Sequence, residues 1–171
     1  GYHMALAARV KSNRALFMGS VIALLALVTG CLSIPDPSIM QIRERKSKYS
    51  IRPPYSKISL QIPKGRLSRK QFRQERESYN PNYFHFEDDA INLTVSGRFR
   101  PAKVFPGIET FWECQVIDWV SRDQPVPQDE LIEDIGDWHT IIYDLRAPDK
   151  HSSHLRGHWV KEGIWIDLHL Y

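Results

Sequence analysis

The chain alternates apolar and polar positions over much of its length, and the period of that alternation changes along the way. Ile58, Leu60 and Ile62 stand between Lys57, Ser59 and Gln61. That is the period of two of a half-buried strand, and Pro63, Lys64 and Gly65 end it. Tyr83 to Phe86 and the set Ile91, Leu93, Val95 predict two further strands, with Asp88 and Asp89 suited to the turn between them. Trp138 to Leu145 predicts another, with His139, Ile141, Tyr143 and Leu145 on one face. Leu155 to Lys161 and Ile164 to Tyr171 read as a hairpin turned by Glu162 and Gly163. In its second arm Ile164, Ile166, Leu168 and Leu170 share one face, and Trp165, Asp167, His169 and Tyr171 share the other.

The period lengthens to that of a helix between about Gly107 and Ser121. There Ile108, Phe111, Trp112, Val116, Trp119 and Val120 fall on one stripe, and Pro106 stands just ahead. Ser68 to Tyr79 predicts a shorter polar helix, since Ser68 and Gln71 have the spacing of a capping box. Leu131, Ile132 and Ile135 predict one helical turn beneath an acidic stretch, and Arg146 to Ser153 a polar loop. The fold class expected is α+β: an antiparallel sheet of five to six strands with one main amphipathic helix packed on one face.

The start of the chain carries a different pattern. Gly1, Tyr2 and His3 precede Met4 and are set apart as residues 1–3, foreign to the fold. Arg9, Lys11 and Arg14 form a basic region, followed by an apolar run of 14 residues from Ala15 to Val28 and then Thr29, Gly30 and Cys31. A run that short suits the core of a signal peptide better than a membrane span, which needs roughly 20 apolar residues. Leu27-Val28-Thr29-Gly30-Cys31 resembles the lipobox of bacterial lipoproteins. The resemblance implies that residues 4–30 are a signal peptide cut just before Cys31, and that Cys31 is a lipid anchor carrying acyl chains. Several chains are needed for a stable anchor, because one holds a protein only marginally. Leu32 follows the cysteine in place of Asp, which by the same resemblance favours the outer membrane and a periplasm-facing domain. An uncleaved anchor is the competing reading, because the uncharged run from Ala15 to Pro35 reaches 21 residues. Residues 31–54, with prolines at 35, 37, 53 and 54, read as a lipidated tether, and residues 55–171 as a single globular domain.

Charge sharpens this organisation. The formal net charge of +3 disappears once the three basic residues of the signal are removed. From Gln41 to Glu77 there are 12 basic and 3 acidic residues, and from Ser78 to Tyr171 there are 8 basic and 16 acidic. The acidic excess is densest at Asp129, Glu130, Glu133, Asp134 and Asp137. A dense negative surface steers a basic protein partner, so these residues, with Trp165 as an aromatic anchor, form the expected partner-binding set. The expected extracytoplasmic compartment argues against a nucleic-acid partner despite the basic stretch.

Signs of catalysis are missing. The sequence has no G-x-S-x-G, no phosphate-binding glycine loop and no H-E-x-x-H, so no catalytic residue, cofactor or enzymatic activity is expected. His151, His154 and His158 give H-x-x-H-x-x-x-H, a weak metal candidate whose spacing suits one ion only on a helix. Cys114, on the predicted helix, reads as a buried inert thiol. The segment from His154 to His169, with Trp159 and Trp165, is similar to C-terminal segments of small proteobacterial envelope proteins of unassigned or immunity-like role. That resemblance implies a protein-binding or inhibitory module whose partner is a secreted toxin. The competing expectations are a structural lipoprotein of an envelope or secretion complex and a metal-binding envelope protein.

Overall fold

The computed structural model describes residues 28–30, 40–70 and 82–171. Their order comes from two antiparallel sheets and one α-helix. The smaller sheet contains β1 (Val28–Gly30), β2 (Gln41–Glu44), β3 (Lys48–Arg52) and β4 (Ile58–Pro63), in the order β1-β4-β3-β2. The larger contains β5 (Ser68–Arg69), β6 (Tyr83–Asp88), β7 (Leu93–Pro101), β8 (Gln128–Ile135), β9 (Trp138–Ala147), β10 (Lys150–Lys161) and β11 (Ile164–Leu170). Its order is β5-β6-β7-β11-β10-β9-β8. The helix α1 (Ile108–Ser121) lies in the long connection between β7 and β8. Among the described residues no helix is long and apolar enough to cross a membrane.

The larger sheet therefore has seven strands where the sequence pattern predicts five to six. One addition is β8. The acidic stretch around Leu131, Ile132 and Ile135 is a strand rather than a helical turn, with Leu131 opposite Ile142 and Ile132 opposite Ile141. Its neighbour β9 offers a full row of backbone partners, and that ladder outweighs a weak local helical pattern. The predicted loop from Arg146 to Ser153 is likewise mostly strand. Ala147 pairs with Lys150, so only Pro148 and Asp149 turn the chain. The hairpin of β10 and β11 forms as the sequence predicts, with Lys161 opposite Ile164. Glu162 and Gly163 both take positive φ, +51° and +78°, as a type I′ turn requires.

The tether expected over residues 31–54 is corrected where it is described. Residues 41–52 form a hairpin of β2 and β3, and Tyr49 and Ile51 on β3 are buried in the core. Lys48 and Arg52, which alternate with these core residues, carry charge that makes the segment look like a spacer. Cys31 and most of the signal peptide lie outside the described residues, as do the positions from 71 onward of the helix predicted over Ser68 to Tyr79. Ser68 and Arg69 themselves form the short β5.

Alternation along the strands places two different layers on the larger sheet. Phe84, Phe86, Val95, Phe99, Leu155, Trp159, Ile166, Leu168 and Leu170 face the smaller sheet, where Tyr49, Ile51, Ile58, Leu60 and Ile62 meet them. The Tyr49 and Phe86 rings lie 4.5 Å apart. Gly97 belongs to this layer because there is no room for a side chain: a Cβ there would stand 2.5 Å from Phe84 Cζ and 2.9 Å from the Asp167 carbonyl oxygen. The opposite face receives α1, whose Ile108 and Trp112 pack on Ile141 and Tyr143. The predicted helical stripe holds except at Val120, which is exposed.

Candidate functional site

The expected partner-binding acids lie on or beside β8, which ends the larger sheet and pairs only with β9 among the described residues. The strand begins irregularly. Asp129 takes φ +53°, and the register shifts between Gln128 and Leu131. Such a bulge turns side chains and ends regular pairing. Past it, Leu131 to Ile135 runs straight, and Gly136 (φ +60°) with Asp137 turns the chain into β9. Leu131 and Ile132 are each 42 % exposed. Among the described residues the strand thus presents an unpaired backbone edge beside Leu131 and Ile132.

Most of the acids are held within the chain. Arg146 Nη2 donates to Asp129 Oδ2 at 2.8 Å. Trp112 Nε1 donates to Glu130 Oε2 at 2.6 Å, which ties α1 to β8. His139 Nδ1 lies 2.7 Å from Asp134 Oδ1, and Lys161 pairs with Asp137. Glu130 and Glu133 are the acids of the set with no ion pair among the described residues. The negative surface is therefore weaker than the sequence count implies. Trp165 is corrected as an anchor: it is 2 % exposed and packs beneath Phe105 and Phe111, with Arg100 5.0 Å over its ring. Cys114 is corrected in the opposite sense, being exposed rather than buried.

The histidine motif is divided between the two faces of β10. His154 and His158 point to the α1 side, four residues apart on an extended strand and so roughly 13 Å from one another. His151 points the other way, with Nε2 3.4 Å from Asp144 Oδ2. One ion cannot bind all three. Among the described residues, no group of three or more His, Cys, Asp and Glu side chains is placed to hold a metal ion.

The α1 side of the sheet instead gathers polar groups from several strands. His158 is fully buried between Phe105, Phe111 and Trp165, and its Nε2 lies 3.3 Å from Asp167 Oδ1. Arg156 Nη1 donates to the same carboxylate at 3.2 Å. Burial alone would push the Asp167 carboxyl up, but His158, Arg156 and Arg98 outweigh it and hold its pKa at about 2. His154, stacked on Tyr143 at 5.0 Å, is pushed down to about 4, chiefly by burial and then by Arg156. His169 is pushed well below the ordinary histidine range for the same reasons. Burial raises the Tyr143 phenol to about 12. The sequence pattern places His169 and Tyr143 on their correct faces, but not beside His154. That meeting depends on strand register, which composition does not carry. No protein-family model and no curated protein sequence matches the chain.

Proposed function

We propose that this chain is a periplasm-facing bacterial lipoprotein, anchored through Cys31, whose domain acts as a protein-binding or inhibitory module. The observation that supports it best is the bare edge of β8, with Leu131 and Ile132 exposed beside it. An extended segment of a partner can add to such an edge, main-chain hydrogen bonds supplying affinity and the flanking side chains specificity. Glu133, and the outer sides of Asp129 and Asp134, favour a basic segment. A toxin neutralised by an immunity protein is the partner class that fits a small anchored domain with this surface. The reading of the anchor rests on the lipobox resemblance. Residues Val28–Gly30 of that motif form β1 against β4, so a cut before Cys31 removes β1 and bares the outer edge of β4 as well.

Two measurements test this reading. Expression in a Gram-negative bacterium with labelled palmitate is expected to label the chain, and Cys31→Ser to abolish both label and membrane retention. A label that survives in Cys31→Ser overturns the anchor. For the partner, the full chain is used to capture binding proteins from secreted and envelope fractions, beside a Leu131→Lys/Glu133→Arg variant. A partner recovered one to one and bound at least about tenfold more weakly by the variant is the expected result. Equal binding by both chains overturns the β8 edge as the site.

A further inference from the structure

Three donor atoms from three strands converge on the α1 side of the larger sheet. His154 on β10 stands directly across from Tyr143 on β9. His169 on β11 stands across from Arg156, two residues further along β10. The result is a diagonal contact: His154 Nδ1 lies 3.1 Å from His169 Nε2, and Tyr143 Oη lies 3.3 Å from that same Nε2.

Hydrogen bonds alone do not satisfy this arrangement. An imidazole nitrogen carries either one proton or one lone pair. His169 Nε2 must therefore share one proton between two acceptors or offer one lone pair to two donors, and one contact is left incomplete either way. A cation set between the three atoms would draw a lone pair from each. The separations suit it: two donors each 2.0–2.1 Å from a metal are about 3.3 Å apart on a tetrahedral ion and about 2.9 Å apart as neighbours on a tetragonal one, and the two contacts span the upper part of that range.

We propose that Tyr143, His154 and His169 bind a divalent transition-metal ion through two imidazole nitrogens and one phenolate oxygen, with copper(II) held most tightly. Imidazole suits copper and zinc alike, and copper heads the divalent affinity series, while a mixed nitrogen and oxygen set is typical of copper(II). Both imidazoles are oriented by neighbours. Ser152 Oγ lies 2.8 Å from His154 Nε2, leaving Nδ1 for the metal. Tyr171 stacks on His154 at 5.4 Å and lies 4.7 Å from the His169 ring. Such outer partners fix ligand rings and strengthen binding. Tyr171 is itself partly exposed. Binding displaces the phenol proton to solvent: burial otherwise keeps that phenol protonated, and the charge of the bound metal, with a smaller contribution from the Arg156 cation, offsets it. This site is independent of the β8 edge and of the acyl anchor.

The test is a copper(II) titration of the full chain, read by electron paramagnetic resonance, visible absorption and competition with a chromogenic chelator. A histidine third from a free amino terminus binds copper through backbone nitrogens, so every sample carries His3→Ala. One equivalent of copper with two nitrogen ligands and a phenolate-to-copper charge-transfer band is the expected result. Tyr143→Phe is expected to lose the band. His154→Gln and His169→Gln are expected to weaken binding at least about tenfold, and His151→Gln, on the opposite face, to leave it unchanged. Absence of a stoichiometric copper ion, absence of the band, or equal affinity in His154→Gln would each overturn the site. The resonance and absorption readings come from a chain with the site intact, so they decide the matter even where a glutamine variant fails to fold.

Discussion

On β11, Ile166, Leu168 and Leu170 point into the core between the sheets, while Trp165, Asp167 and His169 point towards α1. One strand thus serves two environments. The core side is held by burial of side chains that make no demand on neighbours beyond shape. The α1 side buries Tyr143, His154, His158 and Asp167 and half-buries Arg156, each of which needs a partner of the right polarity. The first layer is sensitive chiefly to volume. The second is sensitive to protons and to the exact neighbour.

The sharpest way to break the core side is to empty it. Phe86→Ala is expected to cost about 3–5 kcal/mol, measured by denaturant unfolding, because the ring is fully buried against Tyr49 and Phe84. Overfilling comes next. Gly97→Ala places its Cβ against the Phe84 ring and the Asp167 backbone, and is expected to cost about 1–3 kcal/mol by the same measurement. On the α1 side the lever is acid. His154 titrates near pH 4 when folded and His169 well below its ordinary range. The unfolded chain therefore takes up protons that the folded one refuses, and stability falls as pH drops from about 6.5 towards 4. The slope is up to about 1.4 kcal/mol per pH unit for each histidine, read from thermal melts across that window. His154→Gln flattens the slope. Asp167 acts in a lower window, its contribution being lost between its unfolded pKa near 3.8 and about 2. The smallest effect belongs to neither layer: Glu133→Arg, on the outer strand, is expected to change stability by less than about 0.5 kcal/mol.

The difference between the layers also explains what was legible beforehand. Ile58, Leu60 and Ile62 announce β4, and Ile164 to Leu170 announces β11, because a strand with one apolar face writes its period into the sequence. The α1 stripe is legible for the same reason. β3 is hidden because its two core residues, Tyr49 and Ile51, are spaced among cations that dominate composition. β8 is hidden because its edge position leaves both faces largely wet, so no apolar side is written at all. The partner-binding set fared unevenly: the acids do share one edge, yet most are tied to Arg146, Trp112, His139 and Lys161. Trp165 is inside because an indole at that alternation falls on the α1 face. The His154, His169 and Tyr143 meeting depends on the pairing register of three strands, a long-range property with no local signature.

The bare edge of β8 has a colloidal consequence. An unpaired strand edge beside exposed Leu131 and Ile132 is the geometry through which sheets of separate molecules join into fibrils. When two copies bring these edges together, Asp129, Glu130, Glu133 and Asp134 set like charge against like. The carboxylates thus act as gatekeepers against self-association, a protection that exists only while they are ionised and that salt or acid would strip away.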